Sequence, residues 1–369
     1  MRFLMNKILV AVSLFISFSA TAQPHLHFAD SVRALAQIPE LAYAVVQPTG
    51  VAESGIMGRH AVHLPDTATR QDRFHLGSNT KAMTAFIIAK YVERGLLQWN
   101  TPFFAVFPEW KKKTNQTYWN ITLSQLLSHR AGIQPFTGFD DPEIPPFAGT
   151  NAQKRKAFGK FVLGLSPALP DSLHAYVYSN ADYTLATLML ERRTGRTWEQ
   201  LVEQIFNKDL HLQVQLGWPE NQRHADTWGH LTDTNKLIPV SSAEGMHLDY
   251  TEPAGDINMT LGNYTRFIRL FLEGWSGRNN YLRASTYRYL LQGVDEYAMG
   301  WFNLRENDID WSTHFGTVGT YFAVTHIDRT HNIAFIVLVN AFNQDTQMGV
   351  RSLLRKLKAD YQQALQSGK

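Results

Sequence analysis

FHLGSNTKAMTAFIIAKYV, residues 74–92, combines a reactive pair of side chains with a strongly apolar segment. Ser78 and Lys81 stand three residues apart, with a glycine before the serine and an apolar run after the lysine. Residues i and i+3 of a helix share one face, with Cβ atoms about 5–6 Å apart. A helix beginning here would therefore hold an amine beside a hydroxyl, as a serine nucleophile with a lysine base requires.

The lysine can act as a base only if its pKa is lowered. A free lysine has a pKa of about 10.4, and bringing it near 7–8 takes roughly 3–4 kcal/mol in favour of the neutral amine. The residues after Lys81 are mostly apolar, so the sequence predicts a buried helix and a desolvated lysine. The alternative is a helix N-cap serine with an unrelated lysine, because a chain of this length contains SxxK about once by chance.

The first 22 residues have the pattern of a secretory signal. Arg2 and Lys7 precede an apolar core at residues 8–18, and an AxA pattern follows at residues 20–22. The core is too short to cross about 30 Å of hydrocarbon comfortably, which disfavours a membrane anchor, and no later stretch approaches a transmembrane length. We therefore expect cleavage after residue 22 and a periplasmic or secreted protein without a stable membrane span.

Composition excludes several other classes. The chain has 35 Lys and Arg against 32 Asp and Glu, a formal net charge of +3. Its basic runs at residues 111–113 and 154–156 are short and lack an aromatic ladder, so we expect no nucleic-acid partner. The chain contains no cysteine, which excludes disulfides and lipid modification of a cysteine.

Metal and cofactor signals are weak. His60 and His63, like His25 and His27, have a spacing that can ligate a metal, but no HExxH motif or carboxylate cluster accompanies them in the sequence. We expect no metal site and no cofactor. A GxSxG motif is also missing from the sequence, which disfavours an α/β-hydrolase.

The order of elements predicts an α/β (α+β) fold. Residues 41–58 read as two strands around a turn, residues 96–293 are mostly helical, and strand-like runs return from Tyr297 before an amphipathic helix at residues 345–366. This order predicts an antiparallel sheet built from both chain ends and flanked by helices, with a mostly helical lobe inserted. The predicted domains are a signal at 1–22, an α/β domain from 23–95 and 294–369, and a helical domain at 96–293. A site is expected in the cleft between the lobes.

A second candidate element is Tyr178-Ser179-Asn180, just before a helical run. A tyrosine near a lysine can relay protons, and an asparagine can hold a substrate amide or the lysine. The alternative is a helix N-terminus capped by Ser179 or Asn180. Tyr118 is a rival, because Tyr118-Trp119-Asn120 repeats the same spacing.

A third candidate element is His314-Phe315-Gly316-Thr317, which opens the C-terminal strand region. Gly316 would let a substrate backbone lie against a strand edge, and the N–H of Thr317 could join that of Ser78 as an oxyanion hole. The alternative is a turn with a surface histidine. If His314 held an anionic substrate group, that binding would weaken above about pH 6.5.

Taken together, SNTK, YSN and HFG resemble the SxxK, YxN and KTG or HxG motifs of class C β-lactamases, D-alanyl-D-alanine carboxypeptidases and related (family VIII) serine esterases. The resemblance runs through FHLGSNTKAMTAF, YVERGLLQWNTP, LSQLLSHRAGI and YAMGW to the closing hairpin, nearly the whole mature chain. It implies a β-lactamase/transpeptidase-like fold. It also implies that Ser78 is acylated, that Lys81 is its partner and that Tyr178 is the shared general acid or base.

The resemblance extends to the groups that bind the substrate. It implies that Asn180 contacts substrate and lysine, and that Thr317, after Gly316, supplies the second oxyanion N–H. It places His314 in the pocket where other members carry lysine, and Asn343 near a substrate-contacting asparagine. Tyr178 is favoured over Tyr118 because the family's second motif follows a segment like LSQLLSHRAG.

Two departures bear on the substrate. Phe315 replaces the Thr or Ser whose hydroxyl helps many relatives to hold a carboxylate, and Gly319 comes early, which shortens the turn beside the oxyanion strand. Both argue against efficient β-lactam hydrolysis. The sequence therefore predicts an exported serine hydrolase of a small ester or amide. D-Alanyl-D-alanine carboxypeptidase or β-lactamase activity on a peptidoglycan-type acyl substrate is an alternative, as is a non-catalytic penicillin- or peptidoglycan-binding module.

Overall fold

The structure is a computed structural model that describes residues 24–138, 141–172, 174–219, 226–234 and 236–366. The predicted signal at residues 1–22 lies outside these ranges and stays a prediction. The strands of the described residues, β1 to β11, are Glu40–Gln47, Gly50–Gly58, Arg73–His75, Gln215–Leu216, Gly229–Asp233, Lys236–Val240, Ile257–Thr260, Phe302–Glu306, Ile309–Thr317, Phe322–Asp328 and Ile333–Val339.

The α-helices of the same ranges, α1 to α11, are Leu26–Leu35, Thr80–Glu93, Phe103–Val106, Leu123–Leu127, Asn151–Gly164, Asn180–Thr194, Trp198–Val202, Glu252–Gly255, Leu261–Trp275, Ala284–Gln292 and Gln344–Gln366. Short 3₁₀ turns lie at Gly77–Asn79, Pro108–Lys113, Gln116–Tyr118 and Asp249–Thr251. A π-helical segment, Glu203–Asp209, continues α7. None of these helices is both long enough and apolar enough to cross a membrane.

A six-stranded antiparallel sheet joins the two ends of the chain, in the order β2-β1-β11-β10-β9-β8. Strand β1 lies between β2 and β11, with Leu41 opposite Val339 and Val46 opposite Ala334. The predicted fold class, an antiparallel sheet from both chain ends flanked by helices, is confirmed. The hairpin predicted over residues 41–58 is present as β1 and β2.

Successive side chains of the central strands lie on opposite faces of the sheet, so the sheet separates two hydrophobic clusters. In β1, Tyr43 and Val45 belong to an outer cluster under α1 and α11, whereas Ala42 and Ala44 face the inner cluster that includes α2. Successive strand residues point to opposite faces, so a strand covered on both faces is apolar throughout. This explains why β1 reads as a continuous apolar run instead of alternating with polar residues.

Helix α2 lies inside the inner cluster, where it packs against α6, α8 and α10. Its residues from Thr80 to Ala89 are all buried. Apolar residues lie on all sides of the helix, as expected for a helix surrounded by protein. The burial predicted for the segment after Ser78 is therefore observed.

The segment 96–293 is mostly helical but contains strands that the sequence pattern did not reveal. Within it, β7 pairs with β4 and β5 pairs with β6. Strand β3, Arg73–His75, precedes the segment and joins β7 to complete a small three-stranded sheet. Helix α9 packs against β1 and β11, so one helix of this segment covers the main sheet. The strand expected at Tyr297 begins only at Phe302. The domain boundaries stay predictions.

A buried arginine ties three elements of the helical segment together. Arg155 of α5 is fully buried and contacts Glu191 and Glu199, each at 2.6 Å, as well as Glu252. Glu252 begins α8, the short helix beside α2. Burial raises the pKa of Glu252 to about 8 although Arg155 opposes this shift. Arg155 therefore helps to position α8, together with the contact of Thr84 with the Pro253 carbonyl oxygen at 2.7 Å.

We expect Arg155→Met to lower the free energy of unfolding by about 3–5 kcal/mol, because it leaves buried carboxyl groups without their partner. The control is Arg192→Met, which removes an exposed ion pair with Glu109 at 3.4 Å and should cost about 1 kcal/mol or less. Equilibrium urea unfolding of both variants measures the difference. Equal losses for the two variants would contradict the role given to Arg155.

Candidate active site

Ser78 lies in the 3₁₀ turn Gly77–Asn79 that connects β3 to α2, and it is partly exposed. Gly77 has a φ of +50°, a left-handed conformation that favours glycine. The side chain of Asn79 fixes the turn, because its Nδ2 donates to the carbonyl oxygens of Leu76 at 3.2 Å and Ala323 at 3.1 Å. The turn thus holds Ser78 at the surface of a rigid core.

Lys81 lies one turn further on and is fully buried. Its Nζ is 3.1 Å from Ser78 Oγ, 2.7 Å from Asn180 Oδ1 and 3.0 Å from the carbonyl oxygen of Ala254. Asn180 is oriented by its own Nδ2, which donates to the carbonyl oxygen of Phe136 at 2.7 Å. The structure therefore brings Ser78, Lys81 and Asn180 together.

These contacts determine where the lone pair of a neutral lysine points. Asn180 Oδ1 and the Ala254 carbonyl oxygen can only accept hydrogen bonds. The two N–H groups of a neutral amine would go to them, which leaves the lone pair facing Ser78 Oγ. In this state the Ser78 hydroxyl donates to Lys81, which is the arrangement needed for proton removal.

Burial lowers the pKa of Lys81 well below its usual value, and the nearby Asp182 opposes the shift. Desolvation disfavours the charged form of an amine. Burial also raises the pKa of Asp182 well above its usual range. A protonated Asp182 carries no charge to hold Lys81 as an ammonium, so both shifts favour a neutral pair.

Tyr178 stands over this pair. Lys81 Nζ lies 4.6 Å from the centre of the Tyr178 ring. Burial raises the pKa of Tyr178 above its usual value, and a hydrogen bond with Ser78 opposes the shift. The phenol is therefore protonated at neutral pH and close to the serine.

The segment of residues 178–180 both forms a helix N-terminus and places side chains at the reactive pair. Ser179 is the N-cap of α6, accepting from the Asp182 N–H at 3.3 Å, while Tyr178 and Asn180 on either side point to the reactive pair. The rival Tyr118 is fully buried in the inner cluster, and its hydroxyl has no hydrogen-bond partner within the described ranges. The structure thus places Tyr178, and not Tyr118, beside Ser78.

Strand β9 lies directly against the Ser78 turn. A Cβ atom added to Gly316 would lie 2.5 Å from the Ser78 nitrogen, and one added to Gly77 would lie 2.4 Å from the Thr317 nitrogen. Contacts this short exclude any side chain at either position. The two glycines therefore let β9 pack closely against the Ser78 turn, while the oxyanion role of the Ser78 and Thr317 N–H groups stays a prediction.

His314 is not available as a cationic anchor. It is buried, its Nδ1 donates to the Phe315 carbonyl oxygen at 2.8 Å, and its Nε2 accepts from the Tyr297 hydroxyl at 3.1 Å. Burial, with Lys81 nearby, lowers the pKa of His314 to about 3. The expectation that a protonated His314 holds an anionic substrate up to about pH 6.5 is therefore wrong, as is the alternative of a surface histidine.

Asn343 has partners within the protein. Its Nδ2 donates to Thr232 Oγ1 at 3.0 Å, and its Oδ1 accepts from the Thr346 N–H at 2.8 Å in the first turn of α11. These contacts cap a helix and tie it to the β5–β6 hairpin. The substrate contact suggested for Asn343 stays a prediction.

Two groups at the site were missed in the sequence. The Ala254 carbonyl oxygen comes from α8, and a backbone group carries no signal in residue identity. His129 lies under Tyr178, with ring centres 4.5 Å apart, and its Nδ1 is 2.8 Å from Asp182 Oδ2. His129 Nδ1 also accepts from the Ser179 N–H at 3.2 Å, so the proton of the His129–Asp182 contact lies on Asp182. The pair connects the segment LSHRAG to α6.

A row of aromatic side chains begins at Tyr178. Tyr178 stacks on Phe302 with ring centres 6.1 Å apart, and Phe302 stacks on Phe315 at 6.0 Å. Phe315 is 54% exposed, unusual for so large an apolar side chain. The aromatic contacts therefore continue from Tyr178 through Phe302 to Phe315, which also contacts Phe322 of the outer cluster at 6.3 Å.

His60 has carboxylate neighbours that its sequence context did not show. Glu40, His60 and Asp72 are all buried, and each offers a ligand atom within 4.8 Å of the others. His25 contacts Glu53 at 2.7 Å and Asp360 at 2.9 Å. No carboxylate cluster neighbours these histidines in the sequence, but the fold brings carboxylates to His60 and His25 from distant parts of the chain.

Known proteins share this sequence pattern and this fold. The chain is 24% identical over 285 residues to Protein flp of Staphylococcus aureus (strain N315), which covers 74% of this chain and 54% of that protein. It thus spans about half the length of this curated relative. The structure matches a β-lactamase from Sulfitobacter sp. EE-36 with a TM-score of 0.72, 18% identity and coverage of 93% and 100% of the two chains.

The structure also matches the D-amino acid amidase from Ochrobactrum anthropi SV3, solved with L-phenylalanine amide, with a TM-score of 0.68 at 17% identity. The match covers 91% of this chain and 99% of the amidase. At such identities the two structures show a shared fold. The model of the β-lactamase family matches residues 28–359, nearly all of the described chain, and this protein therefore belongs to the β-lactamase family.

Proposed function

We propose that this protein is an exported serine hydrolase that cleaves a small ester or amide through an acyl-enzyme at Ser78. The observation that carries the proposal is the position of Lys81. Its buried Nζ contacts two groups that can only accept hydrogen bonds, so the lone pair of a neutral amine faces Ser78 Oγ. Hydrolases of the β-lactamase family support the reaction class. Export rests on the sequence of residues 1–22 alone.

The first half of the reaction forms the acyl-enzyme. Lys81 accepts the Ser78 proton as the oxygen attacks the carbonyl carbon of the substrate, and the carbonyl electron pair moves onto its oxygen. The N–H groups of Ser78 and Thr317 would bind this oxyanion. The Tyr178 phenol donates its proton to the leaving group and regains one from the Lys81 ammonium, so that the carbon–leaving-group bond breaks without releasing a strong base.

The second half reverses these roles with water. A water molecule loses a proton to Lys81 as its oxygen attacks the acyl carbon. The tetrahedral intermediate then collapses, and Ser78 Oγ leaves with the proton that Lys81 returns. Lys81 returns to its neutral state because burial again disfavours the ammonium. The enzyme is then ready for another substrate.

The neighbours of Ser78 favour an uncharged acyl group. Phe315 offers a hydrocarbon where many relatives carry a hydroxyl, and the neutral His314 offers no charge. Phe302 continues this apolar surface. An ester or an amide without a carboxylate beside the scissile bond fits these groups better than a D-alanyl peptide or a β-lactam, which are the alternative substrates. A module that binds such compounds without turnover is the non-enzymatic alternative.

We expect Ser78→Ala to abolish hydrolysis of a nitrophenyl ester and covalent labelling by a fluorophosphonate. Residual turnover should be at least about 10³-fold lower, because the nucleophile is lost. The control is Ser285→Ala, which removes an exposed hydroxyl of α10 and should leave both readouts unchanged. Retained labelling in the Ser78 variant would overturn the nucleophile assignment.

The wild-type protein also distinguishes the alternative functions. It is assayed with a nitrophenyl ester, a phenylalanine amide, a chromogenic cephalosporin and a D-Ala-D-Ala peptide, and its intact mass is recorded in each reaction. Turnover of ester or amide with little stable adduct supports the proposal. A stalled penicilloyl-type adduct without turnover would indicate a binding module. Preference for the peptide or the cephalosporin would replace the proposed substrate class.

We expect Tyr178→Phe to lower kcat by about 10²–10⁴-fold, since it removes the group that carries the proton to the leaving group. Tyr118→Phe is the matched control, because it deletes the same atom from a tyrosine whose hydroxyl has no partner within the described ranges. Steady-state kinetics with the nitrophenyl ester and with an amide measure both. The Tyr178 loss should be larger for the amide, whose leaving group needs the proton more. The opposite ranking of the two variants would assign the proton relay to Tyr118.

A further inference from the structure

A buried cluster of His60 and carboxyl groups lies outside the reactive site. Glu40 begins β1, His60 follows β2, and Asp72 directly precedes β3. These side chains are 0%, 3% and 2% exposed. Three ionisable groups that converge away from water require either protons or a cation to balance their charges.

The carboxyl group of Glu40 is the least satisfied of the three. Neither of its oxygens has a hydrogen bond of normal geometry within the described parts of the chain, although the fully buried Thr227 and Asp72 lie beside it. A buried carboxyl group without such bonds is costly. One ligand atom each of Glu40, His60 and Asp72 lies within 4.8 Å of the other two.

His60 has the orientation expected of a metal ligand. Its Nδ1 lies 2.5 Å from Asp66 Oδ2, and its Nε2 lies 2.9 Å from Asp72 Oδ2. Histidines that ligate metals usually donate their other ring N–H to a carboxylate, which fixes the tautomer. In the neutral tautomer that donates Nδ1–H to Asp66, the lone pair of Nε2 would face Asp72 and could bind a cation in place of a proton.

The backbone around the cluster is held in place. Asn340 Oδ1 accepts from the Glu40 N–H at 2.8 Å, and Asn340 Nδ2 donates to the His60 carbonyl oxygen at 3.0 Å. Asp72 is fixed by Thr69, whose N–H and hydroxyl both donate to its carboxylate at 2.5 Å. The three segments therefore form a rigid frame around the converging atoms.

We propose that Glu40, His60 and Asp72 form a binding site for one divalent transition-metal cation, of which Zn²⁺ is the probe. Imidazole and carboxylate are ligands that Zn²⁺ accepts, at about 2.0–2.2 Å each. Two ligands of one tetrahedral ion lie about 3.3–3.6 Å apart, so the present spacing, within 4.8 Å, requires the atoms to close by up to about 1.5 Å. One carboxylate oxygen or a water would complete four-coordination.

The ion would have a structural role. It would join β1, the segment after β2 and the start of β3, and β3 leads within a few residues to the turn that carries Ser78. The cluster is formed by groups other than Ser78 and Lys81, so this site is independent of the proposed hydrolysis. Protons are the alternative: hydrogen bonds with Asp72 and Asp66 raise the pKa of His60 to about 9, and burial raises that of Glu40.

The test uses the full mature protein, stripped with a chelator, desalted and titrated with Zn²⁺. We expect about one Zn²⁺ per chain by elemental mass spectrometry and a rise in Tm of several degrees, because the ion binds only the folded chain. His60→Gln and Asp72→Asn should each lose the bound zinc and the Zn²⁺-dependent rise in Tm. The zinc content and Tm of the wild-type protein test the proposal even if a variant fails to fold.

Two histidine variants serve as controls. His63→Gln changes an exposed histidine that contacts Trp228 edge to face. His25→Gln changes another histidine with two carboxylate partners. Both should keep about one bound zinc. Absence of zinc from the wild-type protein, or equal zinc in the His60→Gln variant, would overturn the proposal and leave protons as the balancing charges.

Discussion

The contact between Lys81 Nζ and Ser78 Oγ is the interaction on which the proposed chemistry depends. Proximity alone, 3.1 Å, would not make a base, because a charged ammonium also contacts a hydroxyl at this distance. Asn180 Oδ1 and the Ala254 carbonyl oxygen set the direction of the contact, since they take the two hydrogens of a neutral amine. Burial supplies the free energy that keeps the amine neutral.

The fold provides these conditions from separate parts of the chain. Helix α2 carries Lys81 and directly follows the turn that carries Ser78. Its residues from Thr80 to Ala89 are buried, which accounts for the desolvation of Lys81. Helix α8 brings the Ala254 carbonyl oxygen and is itself fixed by Arg155 through Glu252. Strand β9, from the C-terminal part of the chain, approaches the Ser78 turn closely because Gly316 has no side chain. A site made of local residues is thus completed by distant ones.

The features that the sequence predicted correctly are those that follow from local spacing. Apolar periodicity identified the strands of residues 41–58 and the buried helix α2, and the order of elements predicted a sheet from both chain ends. The structure also brings Ser78 next to Lys81, one helical turn away. The strands β3, β4 and β7 could not be predicted, because they are only two to four residues long and have no clear pattern.

Properties that depend on tertiary burial could not be inferred from residue identity. His314 was expected to titrate like a free histidine, but its two ring nitrogens are occupied by Tyr297 and Phe315 and its pKa is lowered to about 3. His129 and Asp182 are 53 residues apart and pair only in the folded chain. The carboxylates around His60 were missed for the same reason, because the spacing of potential metal ligands along the sequence shows only residues that are near one another in the chain.

The most direct test of the central claim is the titration of Lys81 in the resting protein. The ¹⁵N chemical shift of Lys81 Nζ in lysine-labelled protein monitors this titration, and the loss of the signal in the Lys81→Arg variant assigns it. The neutral amine is the form above the pKa, and burial lowers that pKa. We therefore expect the shift of a neutral amine at pH 8, where surface lysines are still charged. A Lys81 signal that titrates together with the surface lysines, near their usual pKa of about 10.4, would contradict the account.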